Sequence, residues 1–233
     1  MSNPTDSVPD HITLTEGYSG RLGGRLTGER WTVGPARLTK ISVGEMDNNV
    51  YVIESVSTGE VLLVDAANDA PQLIAHLKAE APGVKEVVTT HLHADHWIGL
   101  PETVDALGLT TIASPGDAGD IHVSTDRHVS HGDEVVVGDL SLEVIGLRGH
   151  TPDGIGLLLR TDEGTHLFPG DSLFPGGPGK TGTPEQFVTL MDDLESRVFA
   201  VLDDDVVVHP GHGDDTTLGA ERPDLGKWRD RGW

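Results

Sequence analysis

The run His91-Leu92-His93-Ala94-Asp95-His96 constrains this chain more than any other feature in it. Three imidazoles and a carboxylate crowded into six residues lose solvation and invite repulsion unless something positive sits between them. Neutral imidazole nitrogen with a carboxylate oxygen is the ligand set of zinc, and with less preference of iron or manganese. The flanks say where such a run sits. Glu86-Val87-Val88-Thr89-Thr90 reads as a buried strand that ends at the first histidine, and Trp97-Ile98-Gly99-Leu100-Pro101 reads as a turn into the next element. A strand end is a rigid platform for a loop that carries chemistry. The plain alternative is a buried polar network, which requires a partner for every nitrogen.

The rest of the chain alternates strands and helices in a particular order. Residues 1–30, rich in Gly, Ser, Thr and charge, read as a loose N-terminal extension with at most a short strand, and residues 31–233 as a single domain. Within that domain, 37–43, 49–54 and 61–65 carry strand patterns. A helix follows, with Asp69 as N-cap, Pro71 in the first turn and Leu73, Ile74, Leu77 and Ala81 on one face, stopped at Pro82-Gly83. The second half repeats the order: short strands at 134–137, 141–145, 156–160 and 166–168, a helix over 184–202 with Phe187, Leu190, Met191, Leu194 and Val198 on one side, then a strand at 205–208. Strands then helix, twice, predicts an α/β (α+β) chain built as a four-layer αββα sandwich: two sheets face to face with helices outside.

Composition narrows the functions. The formal net charge is −22, which repels phosphate backbones and argues against nucleic acid as a partner. There is no cysteine, so disulfides, thiolate zinc sites and a cysteine nucleophile are excluded. No Gly-x-Ser-x-Gly elbow is present. The polar start Met1-Ser2-Asn3-Pro4-Thr5-Asp6 lacks a basic-then-apolar signal, and no apolar run reaches membrane-spanning length, so a cytoplasmic protein without membrane contact is expected.

Further candidates for metal ligation lie at later strand ends. His150 sits in Gly149-His150-Thr151-Pro152-Asp153, Asp171 in Gly170-Asp171-Ser172-Leu173-Phe174, and His212 in Pro210-Gly211-His212-Gly213. Each is flanked by glycine, which lets a backbone turn sharply and approach an ion closely. His209 competes with His212, and the position between glycines past the strand end favours His212. Asp65, ending the apolar run 61–64, is either a carboxylate orienting a ligand histidine or the cap of a turn. His122, His128 and His131, and likewise His11, His76 and His166, read as surface histidines.

With these residues in order, the chain resembles the metallo-β-lactamase fold superfamily over roughly residues 31–221, with His91, His93, Asp95 and His96 as its His-x-His-x-Asp-His signature. Its glyoxalase II (hydroxyacylglutathione hydrolase) branch is the most similar in style, through Asn48-Asn49-Val50-Tyr51, Gly170-Asp171-Ser172-Leu173-Phe174 and His212-Gly213. The resemblance implies two divalent metal ions, zinc first and iron or manganese as options. One would be held by His91, His93 and His150, the other by Asp95, His96 and His212, with Asp171 bridging. It implies hydrolysis of a small-molecule thioester or related ester by a metal-bound hydroxide, with Asp95 orienting the nucleophile. Lys180, in Gly176-Gly177-Pro178-Gly179-Lys180-Thr181, would contact the thiol carrier; its alternative is a solvated lysine. The same stretch fails as a phosphate loop, because Phe174 stands where the first glycine is needed. Only residues 213–233 follow His212, too few for the helical C-terminal domain that helps bind glutathione in that branch, which leaves the thiol carrier open. Three other readings stand beside the hydrolase: a mononuclear iron persulfide dioxygenase with His91, His150 and Asp171 as ligands, a lactonase, and a non-catalytic metal-binding module. An RNA-processing nuclease is disfavoured by the acidity.

Overall fold

Alternation along the strands decides which face each residue buries. In the computed structural model, which describes residues 9–232, eight strands form the first sheet in sequence order: β1 (Thr13–Glu16), β2 (Thr27–Val33), β3 (Ala36–Val43), β4 (Asn48–Ser55), β5 (Val61–Val64), β6 (Val84–Val88), β7 (Thr110–Ala113) and β8 (Arg127–His128). The second sheet starts with β9 (Glu134–Val137), β10 (Leu140–Gly146), β11 (Ile155–Thr161) and β12 (Gly164–Phe168). A small ribbon, β13 (Leu173–Phe174) with β14 (Gly177–Pro178), precedes β15 (Val207–Val208) and β16 (Thr216–Thr217), which complete the second sheet in the order β16-β15-β12-β11-β10-β9.

Odd and even positions part company cleanly. On β4, Tyr51 and Ile53 face the second sheet while Val50 and Val52 face away; on β11, Ile155, Leu157 and Leu159 face the first sheet while Leu158 faces away. The inward sets meet in one core that also contains Trp31, Leu38, Leu62, Val88, Val144 and Phe168. The outward face of the first sheet packs on α1 (Ala70–Glu80) and α2 (Leu100–Leu107). The outward face of the second packs on α3 (Pro184–Leu194), with Leu218 of α4 (Leu218–Glu221) and Trp228 of α5 (Leu225–Arg231) in the same cluster. This is the expected four-layer αββα sandwich.

Several expectations shift in detail. Thr13–Glu16 pairs in parallel with β2, and β2 begins at Thr27, so the boundary set at residue 30 falls inside a strand. Leu26 is buried beneath it, and the Glu29 carboxylate holds the amides of Ser19 and Gly20. The run Met1–Asp6 lies outside the described residues. Asp69 stands at the N-cap position of α1 but in the left-handed region, and its side chain caps nothing there; it accepts instead from the Gly44 amide at 2.8 Å and pairs with Arg25. The helix expected over 184–202 is α-helical to Leu194 and π-helical over Glu195–Phe199, a widening that brings the Arg197 guanidinium to Gly146 O at 2.7 Å. Among the described residues no helix is long and apolar enough to cross a membrane.

One edge of the sandwich collects the candidate residues. β5 and β6 run parallel, so Asp65 and Thr89–His91 leave from the same edge. β4 is antiparallel to β5, so Asn48 starts there. The C-terminal ends of β10, β12 and β15 reach the same edge from the second sheet, carrying His150, Asp171 and His212.

Candidate metal centre

The first half of the centre is built by the turn after β6 and the loop after β10. His91, His93 and His150 bring ring nitrogens within 4.8 Å of one another. His91 and His150 rings lie 5.0 Å apart at 70°, and His93 and His150 rings 4.6 Å apart at 89°. The His150 Nδ1 donates to the Lys180 carbonyl at 2.6 Å, which leaves Nε2 to face inward. The His91 Nδ1 lies 3.0 Å from the Thr90 hydroxyl. Behind these loops sits Asp117, wholly buried. One carboxylate oxygen accepts from the Leu92 amide, between the two histidines, at 3.1 Å, and the other from the Asp153 amide at 2.8 Å. Burial pushes the Asp117 carboxyl up from its ordinary value.

The second half is tighter. His96 Nε2 and His212 Nε2 are 3.2 Å apart; Asp95 Oδ2 is 3.2 Å from His212 Nε2 and 3.6 Å from His96 Nε2. A tetrahedral ion with bonds of about 2.0–2.1 Å holds adjacent ligand atoms about 3.3 Å apart. His96 Nδ1 is fixed by Asp65 Oδ2 at 2.9 Å, and His212 Nδ1 donates to the Met46 carbonyl at 2.8 Å. The Asn48 amide donates to Asp95 Oδ2 at 3.0 Å. Asp171 stands between the halves: Oδ1 lies 3.3 Å from His96 Nε2, and Oδ2 lies 3.3 Å from His212 Nε2 and 3.7 Å from His150 Nε2.

Glycine makes this convergence possible. A Cβ on Gly211 would lie 2.1 Å from Asp171 Oδ1 and 2.7 Å from His96 Cε1, so no side chain fits there. Gly170, at φ +55, turns the chain so that Asp171 points back over His91.

The electrostatics test whether a cation belongs here. Burial, reinforced by the charge of His96, pushes the His91 imidazolium well below its ordinary value, so His91 is a neutral donor. Burial also opposes a charge on His96 and His212, yet Asp171 overcomes it, together with Asp65 for His96 and Asp95 for His212, and each is held up at about 10. The Asp95 carboxyl is pulled below its usual range, mainly by the hydrogen bond from His212. Burial would raise Asp171, but His96 and His212 win and hold it well below the usual range. One proton can bridge the two Nε2 atoms 3.2 Å apart, but the second proton that this field calls for on the other ring would aim its hydrogen at the first. Neutral rings would oppose two lone pairs instead. Moreover, His91 Nε2, His150 Nε2 and Asp171 Oδ1 are buried without any hydrogen-bond partner. The donor set therefore fits divalent cations.

All seven residues singled out as ligand candidates come together here. Asp65 holds the candidate ligand His96 rather than capping a turn, and also accepts from the Thr90 amide and hydroxyl. His209 points away into the intersheet space, where His166 joins it at 2.8 Å; His166 and His76 are buried, contrary to the surface reading, because both sit on inward faces of their elements. His11, His122, His128 and His131 are exposed. Lys180 is exposed, and its carbonyl, not its ammonium, touches the ligand set. Asn48 and Asp117 were not anticipated as site residues. Asn48 carries a hint in its place two residues before the strand pattern's first apolar pair; Asp117, in a Pro-Gly-Asp turn, carries none.

Residues 43–212 match the Metallo-beta-lactamase superfamily. The chain belongs to this superfamily. Among curated metallo-β-lactamase relatives, it is 34% identical over 168 residues to a hydroxyacylglutathione hydrolase of Ruegeria pomeroyi, covering 71% of this chain and 62% of that protein. The chain thus spans less than two thirds of such relatives. Among solved structures, ETHE1 from Myxococcus xanthus is similar with a TM-score of 0.70 and 27% identity, over 83% of this chain and 84% of that one. The protein TTHA1623, solved in a di-iron-bound form, is similar with a TM-score of 0.66 and 26% identity, over 78% of this chain and 96% of that one.

Proposed function

We propose that this protein is a binuclear metal-dependent hydrolase acting on a small-molecule thioester or related ester. The observation that carries the reading is the spacing of the donor atoms, 3.2 to 3.6 Å apart across Asp95, His96, Asp171 and His212, beside a second trio of histidines in which His91 and His150 have bare buried nitrogens. His91, His93 and His150 would hold one ion and Asp95, His96 and His212 the other, with Asp171 shared between them. The chemistry such ions supply when bound is Lewis acidity, which makes water a nucleophile near neutral pH and polarises a substrate carbonyl. The relatives named hydroxyacylglutathione hydrolase and the di-iron form of a similar fold support this assignment.

The chain's own groups prepare that chemistry. Asp95 stays ionised, and its Oδ2 is held by Asn48 and His212, so it presents an acceptor that orients an attacking water. The carbonyls of Lys180 and Met46 and the Asp65 carboxylate fix three rings with Nε2 inward, so no ring reorganises during turnover. A thiolate leaving group, whose thiol has a pKa of about 8.5, departs without a proton, whereas an amide nitrogen requires a donor. This favours thioesters. We assign the substrate's carrier group to Lys180, whose exposure and whose carbonyl contact to His150 support that reading. With a net charge of −22, polyanions such as nucleic acid are excluded as substrates by this reading.

A mononuclear iron dioxygenase is the second reading, in which His91, His150 and Asp171 hold a single iron. One observation favours it: each member of that trio has a buried atom without a hydrogen bond, His91 Nε2, His150 Nε2 and Asp171 Oδ1. Elemental analysis paired with a substrate panel decides. Two equivalents of divalent metal, with thioester hydrolysis lost to a chelator and restored by metal, is the expected result. One iron with oxygen uptake on a thiol persulfide overturns it in favour of the dioxygenase. Bound metal without turnover of any thioester, ester or lactone leaves a non-catalytic module.

A further inference from the structure

Lys40 is among the largest wholly buried side chains of the described residues, and its place follows from the strand period. On β3, Ala36 and Leu38 face the second sheet, and Lys40 shares their parity. On β4, Asn49 shares the parity of Tyr51, and on β12 His166 shares that of Phe168. The apolar intersheet core therefore gives way, toward the edge that carries the centre, to a polar filling.

That filling grips one segment. The Lys40 ammonium has three protons and three acceptors: Gly213 O at 2.7 Å, Asp215 Oδ1 at 2.6 Å and Gly20 O at 3.4 Å. The Asn49 amide donates to Pro210 O and Gly213 O, both at 2.9 Å, its backbone N–H donates to Gly211 O at 2.7 Å, and the Tyr51 hydroxyl donates to Pro210 O at 2.7 Å. Asp215 Oδ2 in turn accepts from His209 Nδ1 at 2.7 Å and Tyr18 Oη at 3.1 Å. Between these anchors lies His212. The loop springs from β15 in the second sheet, yet the carbonyls of Pro210, Gly211 and Gly213 are tied to β3 and β4 of the first.

Burying an ion pair is a poor way to gain stability, since apolar residues of similar volume often serve as well or better. What it supplies here is position. Building on the two-ion reading above, we infer that Lys40, with Asp215, is a positioning pair that fixes His212 across the seam between the sheets and so sets the affinity of the ion held by Asp95, His96 and His212, leaving the ion held by His91, His93 and His150 unaffected.

The test is stepwise binding of zinc to metal-free full-length protein by chelator competition, with thermal unfolding of the same metal-free samples. His212→Ala and His150→Ala identify which binding step belongs to which half. Lys40→Met strands a buried carboxylate and can fail to fold, so Lys40→Met/Asp215→Asn is made beside it; this pair removes both charges and keeps acceptors for His209 and Tyr18. The double variant is expected to weaken the His212 step about tenfold or more while the His150 step stays within about twofold of wild type. Unchanged binding steps in a folded double variant overturn the inference, and so does an equal loss at both steps. A wild-type protein that takes up a single ion sinks the two-ion reading and this inference together, whereas two ions with unaltered steps sink the inference alone.

Discussion

The two halves of the centre are held by different means. His91 and His150 are held by neutral partners, the Thr90 hydroxyl and the Lys180 carbonyl, and the loops that carry the first half are held by Asp117, which collects backbone amides from two of them. Asp95, His96 and His212 are positioned by charged and amide side chains: Asp65 touches His96 and Asn48 touches Asp95, while Asn49 and Lys40 hold the Gly213 carbonyl beside His212 from the other sheet. Both halves take one histidine from the second sheet, His150 and His212, but the first is tied across the sheets by backbone amides meeting one carboxylate and the second by a buried ion pair. The donor spacing agrees with this contrast: the second half is already near ion-binding distances, while the first keeps bare nitrogens.

The largest expected effect comes from the residue that both halves share. Asp171→Ala removes the counter-charge of His96 and His212 and the carboxylate shared between the two sides; both ions are expected to be lost and thioester hydrolysis to fall below detection, as read by elemental analysis and turnover. If one ion stays at full occupancy, the halves are independent and Asp171 joins nothing. Next is Asp117→Asn, aimed at the first half alone. An asparagine offers one acceptor where two amides need one each, leaving a donor facing a donor. Zinc affinity of the His150 step is expected to fall about 10- to 100-fold with the His212 step unchanged, the mirror image of the Lys40 result.

A smaller effect probes the support of the second half by pH. Burial, then the charge of His209, holds the His166 imidazolium down at about 4. Its folded value lies below the unfolded value of about 6.5, so the unfolded chain binds more protons between these limits. The stability this contributes is present above about pH 6.5 and is lost as pH falls toward 4, by no more than about 3 kcal/mol. Urea unfolding of metal-free protein at pH 5 and 7 is expected to show the loss, and His166→Phe to shrink it. The smallest effect is that of salt. With a net charge of −22, raising ionic strength is expected to lift the melting temperature by screening self-repulsion. Because the supports of both halves are buried, the ratio of the two zinc affinities should move little; a large change in that ratio would trace the contrast to surface charge instead.

What the sequence disclosed follows the same division. The candidate ligands are written in residue type and spacing: a dense His-x-His-x-Asp-His run, and single polar residues beside glycines at strand ends. The four layers follow from the order of strand and helix patterns. The supports are not written locally. Lys40 sits in an alternating strand whose charge at an inward position looks like any solvated lysine until its partner loop, more than 170 residues later, is placed beside it. Asp117 looks like an ordinary turn residue, since its acceptors' worth depends on two loops brought together only by the fold. Asp69 takes the N-cap position expected of it but makes no capping bond, because Arg25 and the Gly44 amide claim its carboxylate from a distance.

His212 arrives from one sheet and is seated by the other, while His91, His93, Asp95 and His96 all arrive from the first. A nascent or half-unfolded chain with only its first sheet assembled would offer a zinc ion four tempting side chains and no proper cage. Metal taken up early is therefore exposed to misligation, and metal taken up late stitches the layers together. Its withdrawal should loosen the sandwich along this seam before either sheet melts, with native-state hydrogen exchange opening first at β15 and the loop beyond it.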